Sequence, residues 1–297
     1  MIPYMGSKRK LAPTIIQYIL MHNPQITDLF DLFGGGAAIS AEALKYKRLN
    51  VHYNEIDTAI CELIKKINAE GVTEDFFQWI DRETFHKHKN GNDWFAGLVK
   101  TCWSFGNNPE KGYLYGKDIE QQKKEWHEIC MKDGHKLAQK NRLRLKKQTN
   151  DRIDLQSVER LQSMESVERL QRMESVERLQ SLESAERLQS LERLERLNIT
   201  NLSYEQVKIT GKNPVLYLDP PYKSTETYQN DINHEELYRW VMTSPYKIYI
   251  SGYEFFDLKP VLSINHRSTL SSTNNGKKVT ENLYCNKPEN PITLTLF

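Results

Sequence analysis

The sequence predicts an α/β fold built on a doubly wound, nucleotide-binding type of sheet and interrupted by a mainly helical insertion. Three observations predict it. Residues 27–57 run as strand, glycine turn, helix and second strand with a terminal acid, the opening of such a sheet. Regular strand–helix patterning returns from residue 215 onward. Between them lies a stretch of different character, rich in tryptophan and carrying a tandem nonapeptide repeat.

Taken in order, residues 11–22 (LAPTIIQYILMH) have helical spacing, with Pro13 in the first turn, where its missing N–H is harmless. Residues 27–33 (TDLFDLF) are an apolar run fit for a buried strand, closed by Gly34, Gly35 and Gly36. Residues 37–46 read as a helix, 49–55 (LNVHYNE) alternate as a second strand, and 58–68 form a third helix. After the insertion, 215–218 (VLYL) is a strand running into Asp219-Pro220-Pro221-Tyr222. A helix at 234–242, a strand at 247–251, and last strands at 281–284 and 292–297 complete the pattern. The division expected is 1–70 with 205–297 as one domain and 71–204 as the insertion.

The insertion contains Trp79, Trp94, Trp103 and Trp126, the segment CWSFGNN at 102–108, and a basic strip over 136–147. That strip holds Lys136, Lys140, Arg142, Arg144, Lys146 and Lys147 with no acid among them, a pattern suited to a phosphate footprint and equally to a solvated helix face. SVERLQSME then repeats with small changes over 157–192. Apolar residues recur every third position, from Val158 through Leu194 to Leu197. Three residues advance a helix by about 300°, so this stripe circles the helix instead of holding one face. The pairs Glu165–Arg169, Glu174–Arg178 and Glu183–Arg187 have the favourable i,i+4 order, which supports an extended helix over a stack of short turns. Gene duplication accounts for near-identical copies without a selected role.

At 297 residues the chain holds one sizeable α/β domain and an insertion. A net charge of +2 does not by itself call for a polyanionic partner. The four cysteines, Cys61, Cys102, Cys130 and Cys285, form no CxxC pair, so neither a zinc ribbon nor a disulfide framework is indicated. His86 and His88 lack a supporting ligand cluster and read as surface, and no metal is expected. With no apolar leader and no run of membrane-spanning length, the expectation is a soluble, cytoplasmic protein.

The chemistry concentrates in short segments. Asp219-Pro220-Pro221-Tyr222 ends a predicted strand. An exocyclic amine on a nucleobase is a poor nucleophile, because its lone pair is delocalised into the ring. Two acceptors aimed at its hydrogens favour tetrahedral geometry and stabilise the developing charge. The Asp219 carboxylate and the Pro220 carbonyl are candidates for those acceptors; Pro220 and Pro221 stiffen the turn, and Tyr222 offers a stacking face. A plain Pro-Pro turn after a core strand would look the same. Phe33-Gly34-Gly35-Gly36 lets backbone approach a ligand, as any tight strand-to-helix turn does. Glu55 lies about 20 residues beyond, the usual distance for a carboxylate that binds ribose hydroxyls, with Asp57 as alternate. Tyr4 and Lys8 add a ring and a cation before the first helix. In CWSFGNN, Trp103, Phe105 and Asn107 could wedge into DNA or read a base edge, and packing of the aromatics in a small helical core is an equal alternative.

Together, Tyr4-x-Gly6-x-Lys8, the Phe33-x-Gly35 turn in DLFGGGA, Asn54-Glu55-Ile56-Asp57 and Asp219-Pro220-Pro221-Tyr222 resemble the Dam-like (DPPY, alpha-group) N6-adenine DNA methyltransferases, in that family's order. Ser251-Gly252-Tyr253 and Glu281-Asn282-Leu283-Tyr284 look like its late elements. The departures are Ala37 for a glycine, Tyr4 for a frequent tryptophan and Glu55 for the usual aspartate. The resemblance implies a Rossmann-like mixed sheet that binds S-adenosylmethionine (SAM) through 1–70 and 205–297, with 71–204 recognising double-stranded DNA. It implies that Tyr4, Lys8, Phe33, Gly34, Gly35, Gly36, Glu55, Asp57 and Asp219 line the cofactor pocket and that Asp219, Pro220, Pro221 and Tyr222 handle a flipped adenine. Lys136, Lys140, Arg142, Arg144 and Asn107 are the DNA-contact candidates. The expected chemistry is direct displacement at the sulfonium methyl without a strong general base. Cytosine N4 or RNA as acceptor, a catalytically silent DNA-binding or assembly protein, and a restriction endonuclease partner all stay open at this point.

Overall fold

The computed structural model describes residues 2, 7–125, 127–128, 197–221, 232–267, 278–287, 289 and 291–295. The elements over these residues are α1 (Ala12–His22), β1 (Asp28–Asp31), α2 (Ala38–Ala43), β2 (Asn50–Asn54), α3 (Thr58–Glu70), α4 (Arg82–His88), α5 (Trp94–Cys102), β3 (Leu197–Thr200), β4 (Pro214–Leu218), α6 (His234–Thr243), β5 (Lys247–Gly252), β6 (Pro260–Arg267), β7 (Lys278–Cys285) and β8 (Ile292–Thr295). The strands form one sheet in the order β3-β2-β1-β4-β5-β7-β6-β8. From β3 to β5 every pairing is parallel; β7 enters antiparallel between β5 and β6, and β8 runs parallel to β6. The sheet is therefore mixed, as expected.

The apolar runs form strands because both faces of the parallel part are covered. Successive residues point to opposite sides. Leu29, Tyr217 and Tyr249 belong to the core beneath α1, α2 and α3. Phe30, Leu216, Leu218, Ile248 and Ile250 join Leu237 and Val241 of α6 in a second core on the other face. Chain order grows from β1 outward to β2 and β3, then returns to place β4 on the opposite side of β1. This reversal leaves a crevice above the carboxyl ends of β1 and β4, the place where open α/β sheets bind ligands. Asp31 is paired in register with Tyr217, so the two loops leave the sheet side by side.

Two expectations about the insertion change. Leu197, the last residue of the every-third-position apolar pattern, is the first residue of β3, which pairs with β2. The boundary at 204/205 thus cuts off a strand of the sheet and the loop after it. The first part of the insertion also shares the sheet's core: Phe76, Phe85, Leu98, Trp103 and Tyr113 are buried in it. There α5 presses against α3 at Gly97, where a Cβ would lie 2.2 Å from the Ala59 carbonyl oxygen. The basic strip, Trp126, Cys130 and the nonapeptide array at 157–192 lie outside the described residues. Cys61, Cys102 and Cys285 are buried. Among the described residues no helix is long and apolar enough to cross a membrane.

Candidate functional site

A cleft of about 430 Å³ opens above the carboxyl ends of β1 and β4. Lys8, Phe33, Gly34, Gly35, Gly36, Glu55, Asp57, Asp219, Pro220 and Pro221 all line it, so the glycine turn and the Asp-Pro-Pro turn share one cavity. Tyr4 and Tyr222 lie outside the described residues, as do Lys136, Lys140, Arg142 and Arg144.

The glycine turn is shaped by the strand beside it. A Cβ on Gly34 would sit 2.1 Å from the Tyr53 ring, so glycine is required for the strand and turn to touch. The Tyr53 hydroxyl donates to the Gly35 carbonyl at 2.8 Å, and Gly35 takes a positive φ of 46°. Glu55 braces the same turn from β2. Its Oε2 accepts from the Gly35 N–H at 2.7 Å and its Oε1 from the Asp57 N–H at 2.9 Å. Burial pushes the Glu55 carboxyl up to about 7, against the lowering effect of those N–H donors. Asp57 caps α3 by accepting from Ala59 and Ile60, and pairs with Lys100 of α5 at 3.1 Å. Of the two ribose-binding candidates, Asp57 is thus committed to a helix end, while Glu55 is fixed against the turn.

Asp219 meets Lys8 across the cleft, Nζ to Oδ1 at 2.8 Å. Burial raises its carboxyl above the ordinary carboxylate range, and the Lys8 ammonium opposes that rise. Lys8 also reaches Glu281 of β7 at 3.5 Å. A lysine near the chain start thereby becomes a buried contact to the Asp-Pro-Pro turn.

Several cleft residues escaped sequence reasoning. Asp31, at the end of β1, accepts from the Ser40 N–H at 3.2 Å and hydroxyl at 2.7 Å. Burial pushes its carboxyl up to about 7, with the charges of Asp219 and Glu55 adding to the rise. The signal was present as an acid inside a strand expected to be buried on both faces. The loop after β3 contributes Leu202, Ser203 and Tyr204. Asn54 holds it, donating to the Leu32 and Leu202 carbonyls and accepting from the Leu202 N–H. Tyr204 packs between Phe33 and Trp240. No local motif points to this loop, because only pairing of β3 with β2 brings it to the cleft.

In CWSFGNN the two readings separate by residue. Trp103 is buried in an aromatic cluster with Trp79, Tyr113 and Tyr115, so it packs and does not wedge. Phe105 is 51% exposed. Asn107 faces the cleft with a φ of 57°, and its amide donates to the Thr101 carbonyl at 2.6 Å.

Chemically, the cleft gathers Asp31, Glu55 and the Lys8-paired Asp219, a concentration of buried carboxylate that favours a cationic ligand. Its glycine-lined wall lets such a ligand lie against backbone. Both features fit SAM, which carries a sulfonium and an α-ammonium. A comparison with known proteins finds that the model of the D12 class N6 adenine-specific DNA methyltransferase family matches residues 4–247. Among curated proteins no match is found.

Proposed function

The chain belongs to the D12 class N6 adenine-specific DNA methyltransferase family, and on that premise we propose how its residues divide the work of methylating adenine N6 in DNA. SAM supplies an electrophilic methyl group on a sulfonium. Gly34, Gly35 and Gly36 form the floor against which it lies, Glu55 accepts from its ribose, and Asp31 and Asp219 balance its positive charges. Asp219 and the Pro220 carbonyl accept the two hydrogens of the adenine amine. This localises the nitrogen lone pair and stabilises the charge that grows during attack. Pro220 and Pro221 keep that carbonyl from turning away, and Tyr222 stacks on the extruded base. Positioning supplies most of the acceleration, and no strong general base takes part.

The substrate in this reading is double-stranded DNA. Recognition falls to the insertion within 71–204, with Lys136, Lys140, Arg142 and Arg144 on phosphates. Asn107 is better placed beside the transfer site than along a groove. The enzyme works in the cytoplasm, and a restriction endonuclease reading the same sequence is a natural partner.

One observation carries this assignment: Asp219 and the triple-glycine turn face each other across a single cleft at the sheet's switch point. Asp219→Ala is expected to lower methyl incorporation into a duplex oligonucleotide at least roughly a hundredfold. DNA affinity, read by fluorescence anisotropy, should stay within about threefold, because the phosphate contacts proposed to dominate it are assigned to other residues. Retained methylation in that variant contradicts the role given to the carboxylate.

A further inference from the structure

Glu281 stands on β7 in the alternating set that includes Leu283 and Cys285, both in the core beneath α1. Its side chain is 6% exposed, and it is a charge where the strand otherwise presents apolar groups. Burying a carboxylate there is costly unless a cation meets it. The cation is Lys8, itself 5% exposed and already paired with Asp219. One ammonium thus stands within reach of two buried carboxylates. If the purpose were only to satisfy Asp219, Lys8 alone would do, and an apolar residue at 281 would pack better.

We infer that Glu281 is a positioning residue for methyl transfer: it anchors the Lys8 ammonium from the far side and takes part of its charge, so that Asp219 is held in place without being neutralised as an acceptor. Two effects follow from the geometry. The second anchor fixes the Lys8 ammonium, and through the 2.8 Å contact it fixes Oδ1 of Asp219, making Oδ2 the oxygen available to the adenine amine. The second negative charge also keeps Asp219 a strong acceptor, because an acceptor fully paired with a lysine attracts the amine hydrogens less. Charged and titratable groups from several elements meet around this pair: Lys8 before α1 acts on Asp219 directly, Asp31 of β1, Tyr217 of β4 and Tyr253 after β5 feel the charge of Asp219, and Glu281 of β7 reaches Asp219 through Lys8.

The inference rests on the role proposed for Asp219, and its test separates the two. Glu281→Gln keeps the shape and removes the charge; Glu281→Asp keeps the charge and shortens the reach. In the Gln variant kcat is expected to fall at least about tenfold, with KM for SAM and for DNA within about threefold. The acid limb of its pH–rate profile should move to lower pH, since loss of a nearby negative charge makes Asp219 easier to ionise. In the Asp variant kcat should fall less, and the limb should stay. A merely structural role would lower the active fraction in both variants without moving the limb. Wild-type kcat and an unmoved limb in Glu281→Gln, beside an inactive Asp219→Ala, overturns this inference alone. Retained activity in Asp219→Ala overturns the underlying assignment as well. Loss of folded structure in both Glu281 variants makes the residue part of the scaffold and equally overturns the inference.

Discussion

Ala37 occupies the left-handed backbone region (φ 58°, ψ 33°) where the glycine turn enters α2. A side chain there costs about 1–2 kcal/mol relative to glycine. Ala37→Gly relieves that cost, but it loses a buried methyl worth about 0.8 kcal/mol and adds freedom to the unfolded chain. The expected outcome is near neutrality by thermal unfolding. Ala37→Val, β-branched at positive φ in a filled core, should cost upwards of about 2 kcal/mol. The other residue-scale prediction concerns Asp31 and Glu55, each pushed up to about 7 by burial. Between the ordinary carboxylate range and about pH 7 the folded protein holds protons that the unfolded chain has released. Stability of the free protein is therefore expected to fall as pH rises through that window and to level off above it. A cationic cofactor favours the ionised carboxylates, so SAM should bind more tightly at pH 8 than at pH 6. Calorimetric titration near pH 7 in buffers of different ionisation enthalpy should show net proton release on binding; uptake would contradict the assignment. The motif residues Lys8, Glu55 and Asp219 were legible in the sequence because their chemistry is local to short segments. Asp31 was not, and Glu281 was visible only as part of Glu281-Asn282-Leu283-Tyr284 with no role attached, because a buried acid acquires meaning only from the cation or carboxylate opposite it.

At the scale of elements, hydrophobic spacing carried most of the information, and the structure adds the caps. Helix α3 starts where Asp57 accepts from Ala59 and Ile60, and α6 starts where Asn233 accepts from Glu235 and Glu236. The elements that escaped prediction have weak local signals. Strand β3 is only 4 residues long and continues the repeat's apolar spacing into Leu197. Strand β6 opens on Pro260 and carries Ser263 and Asn265 among its apolar residues. Both exist because a neighbour supplies their hydrogen bonds, β2 for the first and β7 for the second. The packing of α5 on α3 depends on Gly97, whose added Cβ would meet backbone. Backbone cannot yield as a flexible side chain would. Gly97→Ala is thus expected to destabilise the protein by about 2 kcal/mol and to lower Tm by several degrees, checked by differential scanning calorimetry. An unchanged Tm would mean that the two helices separate easily.

For the whole molecule, the order of strands decides the site. Because β4 returns to the opposite side of β1, a turn at 219–221 and a turn at 34–36 that are far apart in the chain share a cleft. Among the described residues, those that line the cleft fall within 7–110 and 202–236. Deleting the array is expected to leave SAM affinity within about threefold of the intact chain, as measured by titration calorimetry. A tenfold loss would place the array in the cofactor machinery.

The sequence by itself determined the class of fold, the order of its central elements, the family and the pair of turns to which the chemistry is here assigned. Hydrophobic period, turn glycines and prolines are local properties, and local properties survive in a linear text. Only the tertiary structure decided that β3 belongs to the sheet and that residues 71–125 share its core with the sheet's own elements. It also decided that Lys8 is divided between Asp219 and Glu281. Those facts depend on burial and on charges brought together from segments hundreds of residues apart in the chain, and no stretch of sequence holds both partners at once.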